Sequence, residues 1–262
     1  MSRLMDLALD PKQLQLNYQP IVDCQDPHTP IEGLECLIRG PRGTNLFSPQ
    51  VLFEYARRKR FEHTLDMLAF RCFVRELSWL CDVPFSINFH TSTLSRDREI
   101  VEQILFSLLE ASIDPSRLQI ELIESAPEIN VGLLVRNLSD LRQKGVRFAL
   151  DDFGVAHSNL RLLSIVQPEI VKIDRSLLPS DGSGMDAACF LSALESARGV
   201  GATIVAEGIE TVSQLEFVRF LGVPYAQGFY FHRPINFKEL EKRIYGMETP
   251  VAAPLSPTVV CN

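Results

Sequence analysis

The sequence predicts a single α/β domain, a TIM-like (β/α)8 barrel whose first strand runs antiparallel to the rest. Three observations predict it. Eight short, apolar, β-branched runs alternate with segments of helical periodicity, the pattern of a mostly parallel sheet covered by helices. The link between the first two runs, Asp23-Cys24-Gln25-Asp26-Pro27-His28-Thr29-Pro30, is too short and too Pro-rich for a helical crossover, so those two strands should be antiparallel. One run after another also ends in a polar group able to hold a metal or move a proton, and a barrel gathers such strand ends at one mouth. A doubly wound open sheet is the alternative, but it does not readily collect groups from so many strand ends.

In chain order, the expected strands are residues 14–22, 31–38, 84–88, 118–123, 147–151, 170–173, 203–206 and 225–227. Helical periodicity covers residues 49–79, with a break near Arg60, and then 98–111, 131–144, 185–199 and 211–221. Gly145, Gly199 and Gly222 stand where C-caps would end three of these helices. Residues 1–13 read as an N-terminal extension and 14–247 as the barrel domain. Residues 248–262, with three prolines and little charge, read as a disordered tail.

Composition narrows the function. Hydrophobic residues make up 46% of the 262, yet no apolar run approaches the roughly 20 residues of a membrane span. The opening Met1-Ser2-Arg3-Leu4-Met5-Asp6 lacks the pattern of a signal peptide, so a cytoplasmic location is expected. A net charge of −7 argues against binding a nucleic acid polymer, which draws on clustered Lys and Arg. The six cysteines are scattered with no Cys-x-x-Cys, so most of them read as small buried hydrophobes in a reducing compartment and a zinc site is not expected.

Chemistry concentrates at the strand exits. Phe148-Ala149-Leu150 runs into Asp151 and Asp152, two carboxylates that repel unless one stays protonated or a cation is shared. Other apolar runs lead to Asn88, Glu121, Lys172 and Glu207. Glu35 and Arg39 share one face of the second strand by its period of two. Each has an ordinary reading when taken singly: an internal ion pair for Glu35 and Arg39, a turn former for Asn88, a half-buried strand acid for Glu121, a snorkelling surface lysine for Lys172, a strand-to-turn exit for Glu207. Their joint occurrence at successive exits is poorly explained by those readings.

The ordered series Tyr18-Gln19-Pro20-Ile21, Glu35-Cys36-Leu37 with Arg39, Asn88, Glu121-Leu122-Ile123-Glu124-Ser125, Asp151-Asp152-Phe153-Gly154, Lys172-Ile173-Asp174, Glu207-Gly208-Ile209-Glu210 and Gln227-Gly228-Phe229-Tyr230-Phe231 resembles that of the EAL domain family, bacterial phosphodiesterases of cyclic di-GMP. The resemblance runs from about residue 16 to 234. It implies a metal-dependent phosphodiesterase that opens cyclic di-GMP to linear pGpG. Position by position, Glu35, Asn88, Glu121 and Asp151 would hold one divalent cation, with Asp151 and Asp152 bringing in a second. Oxygen ligands suit Mg²⁺ or Mn²⁺, and Ca²⁺ should inhibit. Lys172 and Glu207 would be the catalytic pair, either of which could activate the water. Arg39 would contact a substrate phosphate, Gln19 and Gln227 would supply amide hydrogen bonds, and Glu124 would brace the loop after the paired aspartates. A homodimer is implied as well.

The sequence departs from the family at Cys36, which stands for the alanine of the name motif, and at Ile123, which stands for a threonine. The largest departure is Val155-Ala156-His157-Ser158-Asn159, where active members usually read Thr-Gly-Tyr-Ser-Ser. That loop motivates the alternative of a catalytically weak or inactive EAL domain acting as a cyclic di-GMP receptor or protein-interaction module. A barrel phosphodiesterase for another nucleotide is a third reading.

Overall fold

The computed structural model describes residues 3–80, 83–123, 129–155, 158–179 and 184–244. Eight strands close into a barrel in chain order: β1 (Gln15–Asp23), β2 (Ile31–Arg39), β3 (Phe85–His90), β4 (Leu118–Ile123), β5 (Arg147–Phe153), β6 (Ile170–Ile173), β7 (Thr203–Ala206) and β8 (Tyr225–Ala226). β1 is antiparallel to both β2 and β8, and all other neighbours are parallel. The reversal begins at Asp23, whose Oδ1 accepts the backbone N–H of Gln25 at 2.8 Å and of Asp26 at 3.3 Å and so turns the chain back at once.

The helices are α1 (Arg3–Ala8), α2 (Pro49–Arg58), α3 (Glu62–Leu77), α4 (Thr91–Leu94), α5 (Glu99–Glu110), α6 (Val131–Arg142), α7 (Ser158–Val166), α8 (Gly184–Gly199), α9 (Val212–Phe220) and α10 (Phe237–Ile244). The expected break falls at Arg60, with φ of 62°, between α2 and α3. Gly145 and Gly222 take left-handed φ values of 98° and 68° just past α6 and α9. Gly199 does not cap. α8 runs through it, and Gly201, at φ of 76°, makes the turn instead. Sequence periodicity gives no sign of α1, α4, α7 or α10, each nine residues or fewer, where few 3.6-residue repeats fit.

Most of the core lies between the outer face of the barrel and the helices. α3 presents Leu65, Ala69, Phe70, Phe73 and Leu77 at helical spacing, all buried against the sheet. Tyr18 points outward from β1 into this layer, stacks edge-on against Phe73 at 5.7 Å and donates its hydroxyl to Glu76 at 2.5 Å. A smaller apolar cluster of Ile21, Ala149, Ile170 and Val205, with Tyr225 against it, fills the barrel interior. It forms the floor on which the polar residues above it rest. Past β8 the chain returns to β1, where Tyr18 and Ile235 exchange two backbone hydrogen bonds of 2.7 and 2.9 Å. Among the described residues no helix is long and apolar enough to cross a membrane.

Candidate active site

Strand alternation builds the site. The floor residues Ile21, Ala149, Ile170, Val205 and Tyr225 face inward, and two positions further toward the mouth stand Gln19, Asp151, Lys172, Glu207 and Gln227. The same step takes Gly33 to Glu35, Ser86 to Asn88 and Gln119 to Glu121 on the remaining strands. All eight strands therefore contribute one polar group, which is why the exits are legible one by one in the sequence.

Lys172 is the hub. Its side chain is 1% exposed, and Nζ lies 2.7 Å from Glu207, 3.0 Å from Glu121, 3.2 Å from Asp151 and 3.3 Å from Glu35. The ordinary surface-lysine reading is thereby overturned. Burial opposes its charge, but the carboxylates of Asp151, Glu121, Glu207 and Glu35 outweigh burial and hold its pKa well above the usual lysine value. Lys172 thus stays an ammonium that can only donate. The acids respond in the opposite sense. Burial raises Glu121 to about 8 against the pull of Lys172, and burial likewise lifts Glu207 well above an ordinary carboxylate. Gln227 Nε2 donates to Glu35 at 2.5 Å and reaches Glu207 at 3.4 Å, while Gln19 Nε2 donates to the His232 carbonyl at 3.1 Å.

Regular alternation would send Asp151 and Asp152 to opposite faces. The register of β5 against β6 instead shifts between Leu150 and Phe153, and Asp152 adopts φ of 49°, a left-handed conformation uncommon outside Gly, Asn and Asp. This bulge carries β5 two residues past its expected end and brings oxygens of Asp151, Asp152 and Glu207 within 4.8 Å of one another. Partial desolvation first, then the charges of Asp151 and Asp174, raises the Asp152 pKa to about 6, although the residue is exposed and solvent screening weakens the effect on stability. Above pH 6 the ionised carboxylate therefore costs the folded metal-free protein stability, and below the unfolded value of 3.8 that cost vanishes. Asp152→Asn keeps the side chain most tolerant of this backbone and removes the charge. The variant's metal-free Tm is expected to exceed wild type at pH 7.5 and to converge with it near pH 3.5. Thermal melts in chelator across that range check the prediction.

The donor set fits hard divalent cations. Four carboxyl groups, from Glu35, Glu121, Asp151 and Glu207, surround the Lys172 ammonium and Asp152 adjoins two of them, so that Glu121 and Glu207 hold protons more tightly than free acids and bound divalent cations would take the place of those protons. The buried Oδ1 atoms of Asn88 and Asp151 lack hydrogen-bond partners among the described residues, although Lys172 stands near the latter. Unfilled oxygen acceptors beside clustered carboxyl groups are what a Mg²⁺ or Mn²⁺ site requires.

An open cavity of about 250 Å³ lies over this ring, lined in part by Gln19, Glu35, Asp151, Asp152, Glu207 and Gln227. Lys172 and Glu121 sit almost wholly buried beneath it. Asn88 pairs with Glu121 across the strands. Arg39, half-buried at the end of β2, is outside that lining and has no ion pair among the described residues. Glu124 lies outside the described residues, as do Ala156 and His157.

Among the lining residues that sequence reasoning did not assign to the site are Asp174, Arg175, Glu210 and Phe229, although three of the quoted motifs contain or adjoin them. Phe229 is 47% exposed, with the Arg233 guanidinium 4.4 Å from its ring centroid. Gly228 permits this turn, because a Cβ there would stand 2.1 Å from the Ile209 carbonyl oxygen.

Comparison with known proteins agrees with this geometry. Residues 3–234 match the family model described as EAL domain. The cyclic di-GMP phosphodiesterase NbdA of Pseudomonas aeruginosa is 30% identical over 257 residues, covering 95% of this chain and 32% of NbdA. The probable cyclic di-GMP phosphodiesterase PdeB of Escherichia coli is 28% identical, over 89% of this chain and 45% of PdeB. The chain thus spans a third to a half of the length of these two relatives. Among solved structures, the PaMucR phosphodiesterase in complex with c-di-GMP superposes with a TM-score of 0.76 at 29% identity, over 87% of this chain and 99% of that one. A calcium and cy-diGMP complex of Klebsiella pneumoniae BlrP1 gives a TM-score of 0.74 at 29% identity, over 86% of this chain and 57% of that one.

Proposed function

The chain belongs to the EAL domain family, and from that premise we propose that it is a metal-dependent phosphodiesterase that hydrolyses cyclic di-GMP to linear pGpG. The carrying observation is the convergence of four carboxylates on a buried lysine at the mouth of the barrel, with Asp152 beside two of them. Glu35, Asn88, Glu121 and Asp151 would hold one cation, and Asp151 with Asp152 a second, Mg²⁺ or Mn²⁺ in each case. When bound, such cations supply Lewis acidity toward a water and toward the phosphoryl oxygens.

The chain's own groups do the rest. Lys172 donates hydrogen bonds and orients the attacking water, since its proton is held by the surrounding acids. Glu207 would be the base: its carboxyl pairs with Lys172 at 2.7 Å and lines the cavity, and bound cations would favour its ionised form against the burial that raises its metal-free pKa. The water oxygen would bond to phosphorus as its proton passes to Glu207, the bond from phosphorus to one ribose 3′ oxygen would break, and that oxygen would take a proton from solvent while Glu207 releases its own. Arg39, with its charge unspent among the described residues, meets a substrate phosphate at the rim. Gln19, fixed by the His232 carbonyl, and Gln227, fixed by Glu35, offer amide groups to the substrate or its water network.

A homodimer in the cytoplasm is part of the same reading. Val155 and Leu160, 58% and 55% exposed, line a surface cavity with Phe153 and Cys189 next to the Asp152 turn, so a second copy seated there would reach the metal-bearing strand.

Replacing Mg²⁺ by Ca²⁺ tests the metal arrangement. The larger ion takes irregular coordination of six to eight ligands, so turnover is expected to fall by at least about tenfold while cyclic di-GMP still binds. Equal steady-state rates in the two metals would contradict the proposal.

A further inference from the structure

β3 loses one neighbour where the site depends on it. β2 pairs with β3 only as far as Cys36↔Ile87, whereas β4 continues beside Asn88, Phe89 and His90. The Oδ1 atom of Asn88 has no hydrogen bond of its own among the described residues, so its position is inherited from this half-supported backbone.

Asp66 of α3 stands at that exit. Its side chain is wholly buried, and its carboxylate accepts the His90 backbone N–H at 3.3 Å, the Thr93 hydroxyl at 2.5 Å and the His90 ring at Nδ1, 2.9 Å away. A carboxylate only accepts, so Nδ1 carries the proton. The opposite ring edge faces Glu62, 3.6 Å from Nε2, and Glu62 in turn accepts Arg57 Nε and the Ser92 hydroxyl, each at 2.8 Å. The two ring nitrogens address different carboxylates on different sides, which is the geometry of a clamp and not of a metal cage. The buried Asp66 carboxylate, with its three donors, ties the end of β3 and the turn of α4 to α3.

We propose that Asp66 is a positioning residue of the metal site: its carboxylate clamps the exit of β3 and so holds Asn88 where its oxygen can ligate a cation. The inference rests on the reading of Asn88 as a metal ligand. It extends the machinery to a helix that lines no part of the cavity.

The test compares wild type, Asp66→Asn, Thr93→Val and the core control Leu108→Ala by calorimetric Mn²⁺ titration without substrate and by hydrogen exchange of residues 88–93 in chelator. Asp66→Asn is expected to weaken Mn²⁺ binding about 10- to 100-fold, the usual cost of losing a partner behind the ligands, and to speed exchange locally. Thr93→Val should move both readings in the same direction. Leu108→Ala should lower Tm without moving either, which separates positioning from general destabilisation. A folded Asp66→Asn with wild-type affinity and exchange overturns the clamp; if that variant does not fold, Thr93→Val decides by the same readings. A wild type that takes up no Mn²⁺ overturns the proposed function instead.

Discussion

Lys172→Ala is expected to lower kcat for cyclic di-GMP by about 10²- to 10⁴-fold, the range for general acid–base catalysis, because the base can act only on a water that Lys172 orients, while changing substrate affinity little. The reason is that a donor aimed at the attacking water acts mainly in the transition state. The same substitution should destabilise the metal-free protein. Removing one partner of a buried ion pair typically costs about 3–5 kcal/mol, and here four carboxylates lose their shared counter-ion. Protonation of acids such as Glu121, already raised to about 8, should recover part of that loss. Mg²⁺ or Mn²⁺ should therefore raise the variant's Tm more than the wild type's. Steady-state kinetics beside thermal melts with and without metal check both expectations. Collapsed affinity with preserved kcat would make Lys172 a substrate anchor.

Glu35→Ala is expected to remove turnover to below about 1% of wild type and to weaken Mn²⁺ binding by more than about 100-fold, beyond the cost of losing an indirect partner. Glu35 is 5% exposed, pairs with Lys172 and accepts Gln227, so its loss would delete the proposed anionic ligand and free the Gln227 amide beside the cavity. No other carboxylate on β2 could replace it, since Glu32 lies at the far end of that strand. Calorimetric titration and product analysis at matched metal concentration provide the check. Full activity there would sink the assignment of Glu35.

The eight strands were legible because each is a short run with apolar residues, most of them set apart by helical segments, and the reversal of β1 because the eight residues 23–30 cannot form a crossover helix. The polar ring was legible because strand periodicity places each member two positions past an inward floor residue. The bulge at Asp152 was not, because a left-handed residue in β5 follows from fitting two carboxylates to one mouth and carries no local signal. Gly199 misled because glycine marks a turn only where the backbone needs it, and Gly201 meets that need two residues later. Asp66 left a clue unread. It lies on the same helix stripe as Phe70 and Phe73, four and seven residues on, and an acid on an apolar stripe must find partners inside. Those partners on β3 and α4 belong to tertiary packing and have no sequence spacing to reveal them.

The most direct measurement is to incubate the purified wild-type protein with cyclic di-GMP in Mg²⁺ or Mn²⁺ and to separate the nucleotides by chromatography, with a chelator control. The account predicts linear pGpG that accumulates with time and disappears in chelator. Cyclic di-GMP that binds the protein yet is recovered intact in both metals would contradict it and leave a receptor in place of an enzyme.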